Sequence, residues 1–148
     1  MPLKLGLPPT RAGRWWIAYV SDESGTNEVY VQSFPSSGSK WQISAGGGFQ
    51  PRWRRDGKEL FFMAGPQSGN IPRDVMAVLV DTSSTGVFKA GAPQKLFTVT
   101  PVGTSILRNS WDVTPDGQRF LVNSPQTQAG GVPPVTVVLN WLQRQKSP

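Results

Sequence analysis

The sequence predicts an all-β fold, and three observations carry that expectation. Its most apolar stretches are short and rich in aromatic and β-branched residues, as in residues 15–20, 60–63 and 75–80, the composition that suits pleated, buried strands. Sixteen Gly and 14 Pro, about a fifth of the 148 residues, are scattered without a period, as expected of many short elements joined by turns. A turn ending in Gly leads into an apolar strand three times: Ala12-Gly13-Arg14 before residues 15–20, Asp56-Gly57-Lys58 before 59–64, and Asp116-Gly117-Gln118 before 119–123.

The elements follow in order. The first unit has strands at 15–20, 28–34 and 40–43. The second has an inner strand carrying Trp53, then strands at 59–64, 74–81 and 94–97; the third has Trp111, then 119–123 and 135–142. In the two clearer copies a Trp stands shortly before an Asp-Gly pair, Trp53 before Asp56-Gly57 and Trp111 before Pro115-Asp116-Gly117, and Asp-Gly suits the positive-φ positions of a tight hairpin turn. Gly13 and Gly57 are 44 residues apart, Gly57 and Gly117 60 apart. A propeller blade takes about 40–50 residues, so inserted loops are expected at 65–73 and 98–108. Strands 15–20, 60–63 and 75–80 are almost continuously apolar, which requires both faces of their sheets to be covered. The expectation is about three four-stranded antiparallel blades of a β-propeller, near residues 10–44, 49–98 and 108–142, with 143–148 a solvated tail. A β-sandwich is the structural alternative. Residues 135–142 place Val135, Val138, Leu139 and Leu142 on one helical face, but the β-branched run 135–138 favours a strand.

Composition excludes several chemistries. The chain has no Cys and no His, so it holds no disulfide, thiolate ligand or Ser-His-Asp machinery. No catalytic residue, metal site or cofactor is expected. The net charge is +6 and the pI about 10.2, yet the basic residues are dispersed and the densest patch is only Arg52, Arg54 and Arg55; this argues against a nucleic-acid arm. Residues 1–7 lack the apolar run of a signal peptide, and no run approaches the ~18 apolar residues of a membrane span, so neither export by this segment nor membrane insertion is expected.

Residues 53–63, residues 111–122 and the stretch Ile17-Ala18-Tyr19-Val20-Ser21-Asp22-Glu23-Ser24-Gly25 with Glu28-Val29-Tyr30-Val31 resemble the TolB-type, WD-like propeller repeat, built on Trp-Ser-Pro-Asp-Gly and an apolar strand. Val113-Thr114-Pro115-Asp116-Gly117 matches it closely. The second copy has Arg54-Arg55 in place of Ser-Pro, and the first has Thr10-Arg11-Ala12-Gly13. The closing stretch Thr136-Val137-Val138-Leu139-Asn140-Trp141 is similar to the C-terminal ends of propellers in TolB-like proteins and bacterial serine/threonine kinases. The resemblance implies a non-catalytic module, commonly periplasmic or extracytoplasmic, that binds proteins or small ligands. It places the binding face on the loops opposite the Asp-Gly turns, here 21–27, 45–50, 65–73, 104–110 and 125–134. Function does not follow from such a fold, since propellers host unrelated activities.

The candidate ligand contacts are Gln50, Arg52, Asn109 and Asp112; Trp53, Asp56, Gly57, Trp111, Pro115, Asp116 and Gly117 are repeat-motif residues with structural roles. Arg52 and Arg54 share one face of an inner strand and Trp53 the other, so an anionic ligand would fall to Arg52. Gly46-Gly47-Gly48 lacks the Lys-Ser or Lys-Thr of a phosphate loop and reads as a connection. Asp22-Glu23 and the pair Asp112 and Asp116 read as turn chemistry rather than metal or acid–base pairs. The six Trp lie in expected strands, so core packing outweighs carbohydrate stacking.

Propellers close with about four to eight blades, and three leave two open flanks, near Trp15 and Val137. The chain is therefore expected either to belong to a larger propeller or to self-associate, two copies giving six blades. The leading function is a binding or assembly module for a protein or small ligand. The alternative is a sensor or gating propeller of a kinase or serine peptidase whose catalytic domain lies elsewhere.

Overall fold

The computed structural model describes residues 15–35, 38–67, 69–82, 87–102 and 109–125, and the backbone of 136–138. Within them the strands are β1 (Trp15–Ser21), β2 (Glu28–Phe34), β3 (Lys40–Gln42), β4 (Gly48–Trp53), β5 (Glu59–Ala64), β6 (Arg73–Asp81), β7 (Lys89–Ala90), β8 (Gln94–Val99), β9 (Trp111–Val113), β10 (Phe120–Val122) and β11 (Thr136–Val138). All pairings are antiparallel, and the described residues contain no helix. The all-β expectation holds.

The strands form three sheets, β1-β2-β3, β4-β5-β6 with β7 and β8, and β9-β10-β11. In the second sheet β7 and β8 both pair with β6, β7 at Val80 and Asp81 and β8 at Arg73–Ala77. They behave as one outer strand broken at residues 91–93. Thr98 and Val99, expected in a loop, belong to β8, and Gly48 to Gln50 belong to β4; both segments are polar or Gly-containing, and backbone pairing overrides that composition.

The continuous apolar runs now have their cause. Leu60, Phe62, Trp53, Val78 and Val80 join Trp16, Ala18, Val29, Val31, Ile43 and Phe88 in one core layer, whereas Phe61, Met63, Phe49, Val75 and Ala77 join Trp111, Phe120 and Val122 in another. Successive residues of β5 thus enter opposite layers, and Leu60, Phe61 and Met63 are 0% exposed. Two apolar layers, rather than the single layer of a two-sheet sandwich, cover the middle sheet. The first layer is bound by aromatic contacts of Trp16 with Trp41 and Phe88, centroids 5.4 and 5.2 Å apart. In the second, Phe120 meets Phe61, Phe97 and Trp111 at 5.3, 5.1 and 6.0 Å. Aromatic pairs at these distances add to area burial.

The Asp-Gly turns differ from the two-residue form expected. Within these turns positive φ falls on Gly57 and Gly117, 72° and 73°, and not on either Asp, and the N–H of each Gly bonds three residues back, to the carbonyls of Arg54 and Thr114 at 2.9 and 2.8 Å. Asp therefore sits at the third position of an ordinary turn and Gly at the fourth. Each Asp Oδ1 accepts from the backbone N–H two residues on, Lys58 at 3.1 Å and Gln118 at 3.0 Å. That side-chain cap, not a left-handed Asp, is why Asp stands there.

The first copy carries a second correction. Gly13 lies outside the described residues, as do Thr10, Trp141, the tail 143–148 and most of the loops 104–110 and 125–134. Aligning Gly13 with Gly57 would give Trp16 the place of Leu60, yet Trp16 and Ala18 face the second sheet while Phe61 and Met63 face the third. Both β1 and β5 run into their loops at Ser21 and Ala64, an offset of 43 residues. Against the 44-residue spacing of the two glycines this is one residue fewer, and in a strand one residue exchanges the faces.

Candidate functional site

Of the four nominated residues, Gln50 and Arg52 lie in β4, an edge strand of the second sheet, and Asp112 in β9, an edge strand of the third, with Asn109 two residues before that strand begins. A bulge in β4 sets their directions. Phe49 pairs with Met63 and Arg52 with Phe61, three steps on β4 against two on β5, and Gln50 takes a left-handed φ of 51°. A non-glycine residue in that region is strained and needs surrounding contacts to hold it. They are present: the buried Gln50 Oε1 accepts from the Ser110 N–H at 3.1 Å and from Ser110 Oγ at 3.0 Å. The bulge lets Phe49 enter the layer beneath the third sheet and Trp53 the layer beneath the first.

Arg52 follows the bulge and points toward the third sheet. Its Nε lies 3.4 Å from Asp112 Oδ1 and its Nη1 donates to the Pro51 carbonyl at 2.9 Å. The Arg52 side chain is 14% exposed, that of Asp112 71%. Burial pulls the Arg52 guanidinium below its ordinary value, and the Asp112 charge opposes that pull. Asn109, next to Ser110, is exposed. The structure thus brings Gln50, Arg52 and Asp112 to one place through Ser110, with Asn109 beside them. Ser110 itself escaped the sequence reading: a lone Ser before a strand carries no pattern.

Beside this cluster the loops between strands are tied together at one end of the sheets. The Gly48 N–H donates to the Asn27 carbonyl at 2.8 Å and the Gly65 N–H to the Gly47 carbonyl at 3.0 Å; Asn27 Nδ2 donates to Gln67 Oε1 at 2.8 Å. Beneath them lies the buried Glu28. Its carboxylate accepts from the Gly47 N–H at 2.8 Å and from Ser44 Oγ, while Ser44 Oγ accepts from the Val29 N–H at 2.8 Å. The Gly46-Gly47-Gly48 loop, which leads from the first sheet into β4 of the second, is thus folded over a carboxylate of the first sheet and is a connection, not a phosphate cradle. Arg73, 1% exposed, donates to the Gly69 carbonyl at 3.1 Å and stands 5.8 Å from the centre of the Phe49 ring.

At the opposite end the motif residues serve packing. The Arg54 guanidinium bonds both Asp56 oxygens, at 2.7 and 2.9 Å, and Glu59 Oε2 at 2.7 Å. The Arg55 N–H donates to the Pro115 carbonyl at 3.1 Å, joining the two Asp-Gly turns. Back at the end with the tied loops, Asp22 accepts the Gly25 N–H through its carbonyl at 2.8 Å, a turn bond. Glu23 pairs with Lys40. Trp53 and Trp111 are buried in the two layers. Among the described residues no three Asp or Glu converge as a metal site would require.

Amide, guanidinium, carboxylate and hydroxyl groups at the β4–β9 junction can bind a ligand by hydrogen bonds and charge. No protein-family model matches the chain, and no curated protein matches it.

Proposed function

We propose that the chain is a run of β-propeller blades, similar to the TolB type, acting as a non-catalytic module for binding or assembly. The observation that carries this reading is the middle sheet: both of its faces are covered by neighbouring antiparallel sheets, with equivalent strands in equivalent places. Radially stacked blades create that environment. The ligand is taken at the junction of the inner strands, by Arg52, Asp112, Gln50 and Asn109. Because Arg52 is already matched by Asp112, a simple anion would compete with a fixed carboxylate. A ligand presenting both a donor cation and an acceptor anion, such as a free amino acid or a short zwitterionic peptide, suits the pair better.

A thermal-shift screen with amino acids and short peptides tests this, using the chain and its Arg52→Ala variant. At 100 times its dissociation constant a ligand stabilises the fold by about 2.7 kcal/mol, which for this length is a rise of about 5–10 °C in Tm. The expected result is a shift in the parent chain that Arg52→Ala abolishes. Ligands that shift both proteins equally, or none that shifts either, would count against this site.

A further inference from the structure

The repeat contains an internal control for what an occupied flank looks like. Phe61 and Leu121 hold the same place, four residues after Gly57 and Gly117. Phe61 is 0% exposed because the third sheet covers it: Phe120 meets its ring at 5.3 Å. The Gly117 turn seats there too, a Cβ at that glycine falling 3.2 Å from Phe61 and 2.9 Å from Arg54. Leu121 is 50% exposed. Beside it lies an open pocket of about 470 Å³ lined by Asp112, Thr114, Pro115, Arg119 and Leu121, among others. Thr114 and Pro115 take the places of Arg54 and Arg55 in the second sheet. The pocket is thus the vacant counterpart of the seat that the Gly117 turn fills one sheet earlier.

At the other end of the stack, the first sheet turns Trp15 and Phe34 outward, directly paired across β1 and β2 and 38% and 55% exposed. Ile17 and Tyr19 share that face, and Tyr19 stacks on Tyr30 at 5.8 Å. In both internal layers the contact is made the same way: the Phe61-type face of one sheet meets the opposite face of the next. Among the described residues one copy of each kind of face is left over, at opposite ends of the stack of sheets.

Resting on the propeller reading above, we infer that the occupant of the Leu121 face is the Trp15–Phe34 face of a second copy of this chain, head to tail. Two copies joined twice in this way make a closed ring of six sheets with no unused face. Continuity with the two internal layers carries the assignment, since the same kind of contact is already made twice within the chain.

Light scattering coupled to size exclusion measures it. The parent chain is expected at twice its 16.1 kDa mass, and Leu121→Glu or Phe34→Glu, each on a partly exposed side chain, at one chain mass with unchanged far-ultraviolet circular dichroism. Mixing the two variants is decisive, because one intact pair of faces remains: the mixture recovers a two-chain species that neither variant forms alone. Leu121→Ser, a milder change, is expected to weaken the dimer and guards against misfolding of the glutamate variant. A monomeric parent at micromolar concentration, a dimer indifferent to both substitutions, or no recovery on mixing overturns the inference. A monomer whose Tm still responds to ligand through Arg52 would leave the binding reading intact and remove only the self-pairing.

Discussion

Phe61→Ala tests the claim that the second and third sheets share a packed layer. The ring is 0% exposed and meets Phe120 edge-on at 5.3 Å. It also lies beneath the Gly117 turn, whose main chain cannot easily collapse because Arg55 and Pro115 hold it with a 3.1 Å hydrogen bond. A cavity is therefore left rather than filled, and the cost falls in the range of about 3–5 kcal/mol measured for such truncations. With an m-value of about 2 kcal/mol/M in urea, the midpoint drops by about 2 M, a large part of the about 5–15 kcal/mol that holds a domain together. Phe61→Leu, which keeps most of the volume, should cost less than about 1.5 kcal/mol. Urea titration followed by tryptophan emission reads both, with Trp111 stacked on Phe120 reporting on the same layer. A midpoint shift below about 0.5 M for Phe61→Ala, with the transition still cooperative, would refute the shared layer.

Two further substitutions follow from the geometry. Burial raises the Glu59 carboxyl above its ordinary value despite the opposing pull of Arg54, so its contribution to stability is full below the unfolded value and is lost as pH rises through the folded one. Glu59→Gln should therefore compare more favourably with the parent at pH 7 than at pH 4 in urea titrations; the reverse order would show that the Arg54 bond, not burial, governs this side chain. Gly47→Ala sets a side chain at φ 104° with its Cβ 2.8 Å from the Gly65 carbonyl oxygen, and a loss of about 2 kcal/mol or more is expected, read as a fall in Tm; a change under about 0.5 kcal/mol, the level of an ordinary surface substitution, would mean that the two loops are not in contact.

Much of the strand layout was legible because both faces of the middle strands are covered: Leu60 to Met63 show no polar alternation, and that run has the same cause in sequence and in space. The Asp-Gly turns were legible as turns but not in their form, since Asp capping the second N–H onward and Asp in a left-handed position leave the same dipeptide. What escaped was set by long-range contact. Nothing near Gln50 marks a bulge; the Ser110 bonds that hold it come from 60 residues away. Arg73 opens a strand expected to begin at Asp74 and is almost wholly buried, against the usual behaviour of arginine. Nothing beside Glu28 in sequence marks it as buried; Ser44 and Gly47, which converge on it, are 16 and 19 residues away. At the candidate site, the strand placement of Arg52 was legible, whereas Asp112, read as turn chemistry, lies in β9. Its ion pair with Arg52 was not legible, because β4 and β9 are neighbours only once the sheets stack.

The irregularity at Gln50 makes chain length itself a structural variable. With the extra residue, a six-residue strand sends one aromatic to each neighbouring sheet, Phe49 one way and Trp53 the other. Deleting Pro51 would leave two steps against two between Phe49 and Arg52, removing the bulge while keeping Phe49 and Trp53 on opposite sides. One further residue inserted there would instead swing Phe49 onto the side of Trp53, crowding one layer while hollowing its counterpart. An insertion at this point is therefore felt in two cores at once, whereas a deletion is absorbed by the loss of the bulge.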